Sequence, residues 1–151
     1  MIKLNFPDYT FSITDRNGKP FIFDPARKKY VALTPEEWVR QHVIQFLSCE
    51  KQVPLTLIGI EAEIRLYKTR KRFDIAVFDR NAKPLLLVEC KSPSVAVTQD
   101  TLDQAVRYNM TLKVGYLMLT NGIQHIYCQT DINNNSIRMM DDLPDFTNLQ
   151  S

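Results

Sequence analysis

The stretch Arg72-Phe73-Asp74-Ile75-Ala76-Val77-Phe78-Asp79, the polar break Arg80-Asn81-Ala82-Lys83-Pro84, and the run Leu85-Leu86-Leu87-Val88-Glu89-Cys90-Lys91 decide the fold. Both flanks are short apolar runs bounded by turn residues, which reads as two strands. The second is continuously apolar from Leu85 to Val88, as expected of a strand covered on both faces of a sheet. Side chains alternate along a strand, so Glu89 and Lys91 share one face, with Cα atoms about 6.5–7 Å apart, while Cys90 points to the other with Val88. Two opposite charges therefore end an apolar strand. Burying them costs several kcal/mol each unless they are paired or bind a metal. A Glu–Lys ion pair, a strand running out into solvent and a functional site all satisfy that condition. If the two strands pair as a hairpin around residues 79–84, Asp74 falls opposite Glu89, and two carboxylates and a lysine converge.

Working outward, Thr34-Pro35-Glu36-Glu37 is a helix start, with Thr34 as cap, Pro35 at the first helical position and Glu37 closing a capping box. Val39, Val43, Phe46 and Leu47 follow at helical spacing. Leu55 to Tyr67 reads as a strand ahead of the decisive pair. Between them lie Lys68, Arg70, Lys71 and Arg72, either a solvated loop or a phosphate-contacting rim. After Ser92-Pro93-Ser94, Thr98 caps a helix from Gln99 to about Leu112. Strands follow at 114–120 and 123–129, joined at Asn121-Gly122, a hairpin signal, with a short edge strand at 137–140. At the front, Tyr9, Phe11 and Ile13, then Asp15-Arg16-Asn17-Gly18, then Phe21 and Phe23 read as a β-hairpin arm, followed by a polar loop at 25–29. The expected class is α/β: a mixed sheet flanked by helices, in the order helix, three-strand meander, helix, two strands, with an N-terminal hairpin arm at 1–30, a main domain at 31–142 and a C-terminal tail at 143–151.

At 151 residues one core suffices. The net charge of +2 is too small to argue nucleic-acid binding by itself, so such a function must rest on local charge. Cys49, Cys90 and Cys128 are far apart, which disfavours a disulfide framework or zinc site and fits a reducing cytosol. No apolar run approaches a membrane span, and Met1 to Asp8 has no signal-peptide core, so a cytoplasmic protein without membrane partners is expected. His42 and His125 have no ligand partner at metal spacing and read as packing residues.

The convergent set has a chemical use. Mg²⁺ takes oxygen ligands and keeps several waters. Asp74 and Glu89 supply two carboxylates and the Cys90 carbonyl a third oxygen. Such a metal, Mg²⁺ or Mn²⁺, lowers the pKa of a bound water and neutralises charge on a phosphodiester. Lys91 is placed to orient the water, to stabilise the transition state or, if desolvated, to act as a base.

Asp, a hairpin, then Glu-x-Lys resembles the signature of the PD-(D/E)XK nuclease superfamily, with Phe73 where the proline often stands. The run Val88-Glu89-Cys90-Lys91-Ser92-Pro93-Ser94, followed by Gln104-Ala105-Val106-Arg107-Tyr108, is more specifically similar to the type I restriction enzyme R-subunit N-terminal family. The similarity spans roughly residues 30 to 130. It implies a restriction-endonuclease-like fold and a metal-dependent endonuclease acting on DNA in a restriction context. Gln104 would then sit at the catalytic face with Tyr108 one turn on, an acidic residue would come from the first helix (Glu37 the first choice), and Arg70, Lys71 and Arg72 would contact nucleic acid. No phosphate-binding GxxxxGK[ST] loop is present, so motor or specificity functions would lie in separate subunits, and cutting both strands suggests a homodimer. A non-catalytic nucleic-acid-binding or scaffolding module, and a purely structural ion pair, are the competing readings.

Overall fold

The computed structural model describes residues 1–151. Its framework is a six-stranded mixed sheet: β4 (Ile58–Leu66), β5 (Thr69–Phe78), β6 (Pro84–Cys90), β7 (Tyr116–Thr120), β8 (His125–Asp131) and β9 (Ser136–Met140), in that spatial order. All neighbours are antiparallel except β6 and β7, which are parallel. A parallel pair needs a long crossover, and α2 (Gln99–Leu112) supplies it. The expected mixed sheet flanked by helices is thus what the chain forms.

Period-two alternation explains how both faces are covered. Leu86, Val88, Cys90, Tyr116 and Met118 pack with Val39, Val43, Ile44 and Leu47 of α1 (Pro35–Gln45) and the π-helical turn that extends it. Leu117, Leu119 and Cys128 pack beneath Leu102 and Ala105 of α2, and Ala76 and Leu87 beneath Leu112. The sheet is therefore sandwiched. Thr34 caps α1 by accepting the Glu37 N–H at 3.0 Å, and Thr98 caps α2 through the Thr101 N–H.

Residues 1–32 form more than a hairpin. β1 (Ile13–Arg16), β2 (Lys19–Asp24) and β3 (Lys29–Ala32) make a separate three-stranded antiparallel sheet, because Lys29 to Ala32 returns along β2 after the turn read as a loop. This sheet is fixed to α1 by buried charges. Asp24, fully buried, accepts from Arg27 Nε (2.6 Å) and Gln41 Nε2 (3.0 Å), and Arg27 also reaches both Glu37 oxygens. Residues 1–11 strap back over α1 and β8: Asn5 donates its backbone N–H to Gly122, His125 Nε2 meets the Asn5 carbonyl at 2.6 Å, and the Trp38 indole donates to the Ile2 carbonyl.

The C-terminal stretch, expected as a tail, is instead docked. Leu143, Phe146 and Leu149 are buried in the main core, the last two on α3 (Phe146–Leu149), and the Phe146 N–H bonds the Lys51 carbonyl. Burial of three apolar side chains at one-turn spacing outweighs the lack of a clear sequence period.

Candidate functional site

The β5–β6 register pairs Ile75 with Val88 and Ala76 with Leu87, and one more step along it sets Asp74 opposite Glu89. Here the strands part. The Cys90 N–H goes to Asp74 Oδ2 at 2.7 Å, so a side chain takes over where the ladder ends. On its other edge β6 stays paired, and beyond Cys90 the Lys91 N–H bonds the Thr120 carbonyl. The backbone carrying Glu89 and Lys91 is thus held from both sides, which is how a fixed polar constellation is kept in place.

A cleft of about 240 Å³ opens between the end of this strand pair and α2. Glu89, Lys91, Gln104, Tyr108, Lys71, Phe73, Thr101 and Ala105 line it. Gln104 and Tyr108, four residues apart on α2, face it together. Asp74 is not among the lining residues; half-buried, it sits at the strand junction behind them.

Glu89 and Lys71 form an ion pair at 3.1 Å, and the Lys71 ammonium also lies over the Phe73 ring (4.6 Å) and the Tyr108 ring (5.1 Å). Burial pushes the Glu89 carboxyl above its ordinary range; Asp74 adds repulsion, and Lys71 and Lys91 offset part of it. Glu36 is also raised, first by burial and then by Asp74, against the pull of Arg40 and Lys91. Three acidic groups therefore share one field. Excess negative potential around partly buried carboxylates favours an added cation.

Glu37 does not belong to this group. Its carboxylate turns the other way, to Arg27, Arg40 Nε (3.3 Å) and Gln41 Nε2 (3.0 Å). The residue from the first helix whose charge couples to Asp74 and Lys91 is Glu36. Helical geometry accounts for the exchange, since neighbours on a helix point about 100° apart. The Arg70, Lys71, Arg72 set is split as well. These residues are not in a loop: they belong to β5, and alternation sends Lys71 into the cleft with Phe73 and leaves Arg70 and Arg72 exposed on the other face. Lys71 as partner of Glu89 was missed from sequence, although its two-residue spacing from Phe73 carries the signal once the strand is extended upstream.

The Cys90 thiol is buried in the core on the α1 side, with its pKa pushed well up by burial, so only its backbone can serve the site. No three His, Cys, Asp or Glu side chains stand close enough to hold a metal ion by themselves. The donor set that is present, two facing carboxylates and main-chain oxygen, suits a hard cation that keeps much of its water.

A model of the family described as "Type I restriction enzyme R protein N terminus (HSDR_N)" matches residues 35–144. The chain belongs to this family. The matched span runs from the first residue of α1 through the whole six-stranded sheet, so it contains every residue of the cleft. Among solved structures, the chain is similar to "The fragment structure of a putative HsdR subunit of a type I restriction enzyme from Vibrio vulnificus YJ016", at 20% identity and a TM-score of 0.54, over 78% of this chain and 25% of that one. That likeness shows a shared fold, and the R-protein-like chain described here spans about a quarter of that relative's length. No curated protein matches. No helix is long and apolar enough to cross a membrane.

Proposed function

We propose that the cleft of this R-protein N-terminal domain is the active site of a metal-dependent endonuclease of the PD-(D/E)XK type, acting on DNA in a restriction enzyme. One observation carries the reading: Asp74 stands opposite Glu89 where two strands part, with Lys91 one strand repeat further on, at the mouth of a polar cleft. The name of the family supports the restriction context. Asp74 and Glu89 would hold Mg²⁺ or Mn²⁺, with the Cys90 carbonyl as a third oxygen. When bound, such an ion supplies charge neutralisation at a phosphodiester and a more acidic water.

The remaining steps belong to the chain's own side chains. Lys91 faces the cleft beside Glu89 and orients the attacking water or stabilises charge building on the phosphorus oxygens. Gln104 donates its amide to a phosphate oxygen, which positions the scissile bond. Tyr108 and Phe73 hold the Lys71 ammonium by their ring faces, so that it competes with a metal for Glu89. ATP-driven translocation and sequence recognition would come from other parts of a larger assembly, and one site per chain calls for two chains to cut both strands.

Two observations favour a second reading, a non-catalytic DNA-binding or scaffolding module. Asp74 Oδ2 already accepts from the Cys90 N–H, and the acidic groups do not form a three-ligand cluster. Calorimetric titration of Mn²⁺ into the wild type and an Asp74→Ala/Glu89→Ala variant, with plasmid cleavage by the wild type and Lys91→Ala, separates the two. The nuclease reading expects metal binding lost in the double variant and nicking lost in Lys91→Ala. DNA binding in chelator with no cleavage under any metal would sink it in favour of the module.

A further inference from the structure

The β4–β5 hairpin continues well past the point where β6 ends. Residues 62–66 pair with 69–73, but β6 pairs with β5 no further than Ile75. About five residues per strand give a two-stranded ribbon, roughly 17 Å long, that β6 does not flank. Its inner face carries Ile64, Leu66 and Phe73 against Tyr108 and the α2 end of the core. Its outer face is chemically different. Arg65 lies directly opposite Arg70, and Glu63 opposite Arg72. Arg65 and Arg70 are about two-thirds exposed, and both lean on the same Glu63, at 3.1 and 3.5 Å. Lys68 and Arg72 are exposed beside them.

Two features of this ribbon work against its own stability. Like charges directly opposite on neighbouring strands repel. The tip is a tight two-residue turn, Tyr67-Lys68, in which Tyr67 takes a left-handed φ of +56° that glycine or asparagine would adopt at lower cost. Tyr67 is also 89% exposed, so its ring packs on nothing in the chain. Four cations against one carboxylate, with an aromatic at the apex, match a polyanion rather than another part of this protein.

We propose that this ribbon is a duplex-DNA-binding arm. Its two strands lie in the major groove, which admits a two-stranded ribbon. Arg65, Lys68, Arg70 and Arg72 meet phosphates, and Tyr67 packs on sugar and base edges at the groove floor. Lys71 takes no part, being held inside the cleft by Glu89. Since the ribbon springs from the strand that bears Asp74, an arm seated in the groove brings the backbone to the cleft. The inference rests on DNA being the substrate class proposed above, but binding is measurable without cleavage.

The test is fluorescence anisotropy of the full chain with a short labelled DNA duplex in chelator, repeated over a range of salt, alongside plasmid nicking with Mg²⁺. Arg65→Ala/Arg70→Ala should weaken binding and flatten the log affinity–log salt slope by about 2, one for each lost phosphate contact. Glu63→Gln, which frees two guanidinium groups and cannot be explained by misfolding, should tighten binding and steepen the slope. Unchanged affinity in both variants, or no salt-sensitive binding by the wild type, overturns the arm even if nicking persists. Equal affinity for an RNA duplex of the same sequence overturns the major-groove placement, because the A-form major groove is too narrow. Binding with the expected slopes but no nicking supports the arm and counts only against the nuclease reading.

Discussion

Lys71 reaches Glu89 across the cleft from β5, at 3.1 Å, while two aromatic faces hold the ammonium in place. This cation occupies the carboxylate that a metal would need. In Lys71→Met the competitor is gone and the cleft loses a repelling charge. Taking for this part-buried pair about 1 kcal/mol, the upper end of the range for exposed pairs, Mn²⁺ affinity measured by calorimetry should rise at least about fivefold. Weaker metal binding in this variant would show that Lys71 supports the site instead of competing for it.

Glu36 and Glu37 are adjacent, yet they should separate cleanly on substitution. Glu37 is buried with Arg27, Arg40 and Gln41, and removing one partner of a buried ion-pair network costs about 3–5 kcal/mol. Glu37→Ala should shift the urea midpoint strongly. Glu36 is nearly half exposed, and Glu36→Ala should change stability by no more than about 0.5 kcal/mol while weakening Mn²⁺ binding several-fold. The reverse pattern would return Glu37 to the site.

His42 and His125 both have pKa values lowered by burial, against the raising effect of a backbone carbonyl. The folded chain therefore holds them neutral, while the unfolded chain protonates them near the usual 6.5. The unfolded state binds more protons below that pH, so stability is complete above it and declines as pH falls toward the lowered folded values. Each histidine contributes a slope of at most about 1.4 kcal/mol per pH unit. Urea midpoints should be flat from neutral pH upward and fall below about pH 6.5, with a smaller fall in His42→Phe. A profile identical in wild type and variant would remove His42 from the account.

Gly122 sits at φ +88°, and a Cβ there would lie 2.8 Å from a Leu4 methyl and 3.0 Å from a Val39 methyl. Gly122→Ala is thus strained twice, by backbone and by packing, and should cost about 1–3 kcal/mol by urea unfolding. It should also loosen residues 1–11, which pack on that turn, and speed proteolysis near the N-terminus.

The sheet and the juxtaposition of Asp74 with Glu89 were legible because they rest on short-range rules. Alternation around Ile75 and Val88, and the turn at 79–84, suffice to bring Asp74 opposite Glu89. The cap at Thr34 and the crossover helix from Gln99 follow from local chemistry in the same way. What escaped depends on contacts distant in sequence. Lys29 to Ala32, although it holds Tyr30 and Val31, is too short to stand out as a strand alone and is recruited by β2. Leu143, Phe146 and Leu149 become core only because Lys51 and its surroundings offer a place to dock. The choice between Glu36 and Glu37 turns on one helical step, which no capping rule resolves when both are acidic. The basic run at 68–72 looked like a loop because charge masked the turn and second strand of a hairpin whose inner positions are Ile64 and Leu66 on β4 and Phe73 on β5.

The hydrogen bond from the Lys91 amide to Thr120 has a consequence for the timing of synthesis. β6 gains its parallel neighbour only after the whole of α2 and β7 has been made. A chain still emerging from the ribosome, with Glu89 and Lys91 already exposed, has only β5 and the Asp74 carboxylate to hold that strand end, on one edge. The cleft wall formed by Gln104 and Tyr108 is likewise absent until the crossover closes. On the proposed nuclease reading, the site would be assembled only once α2 and β7 are in place, not when Glu89 and Lys91 themselves have been made.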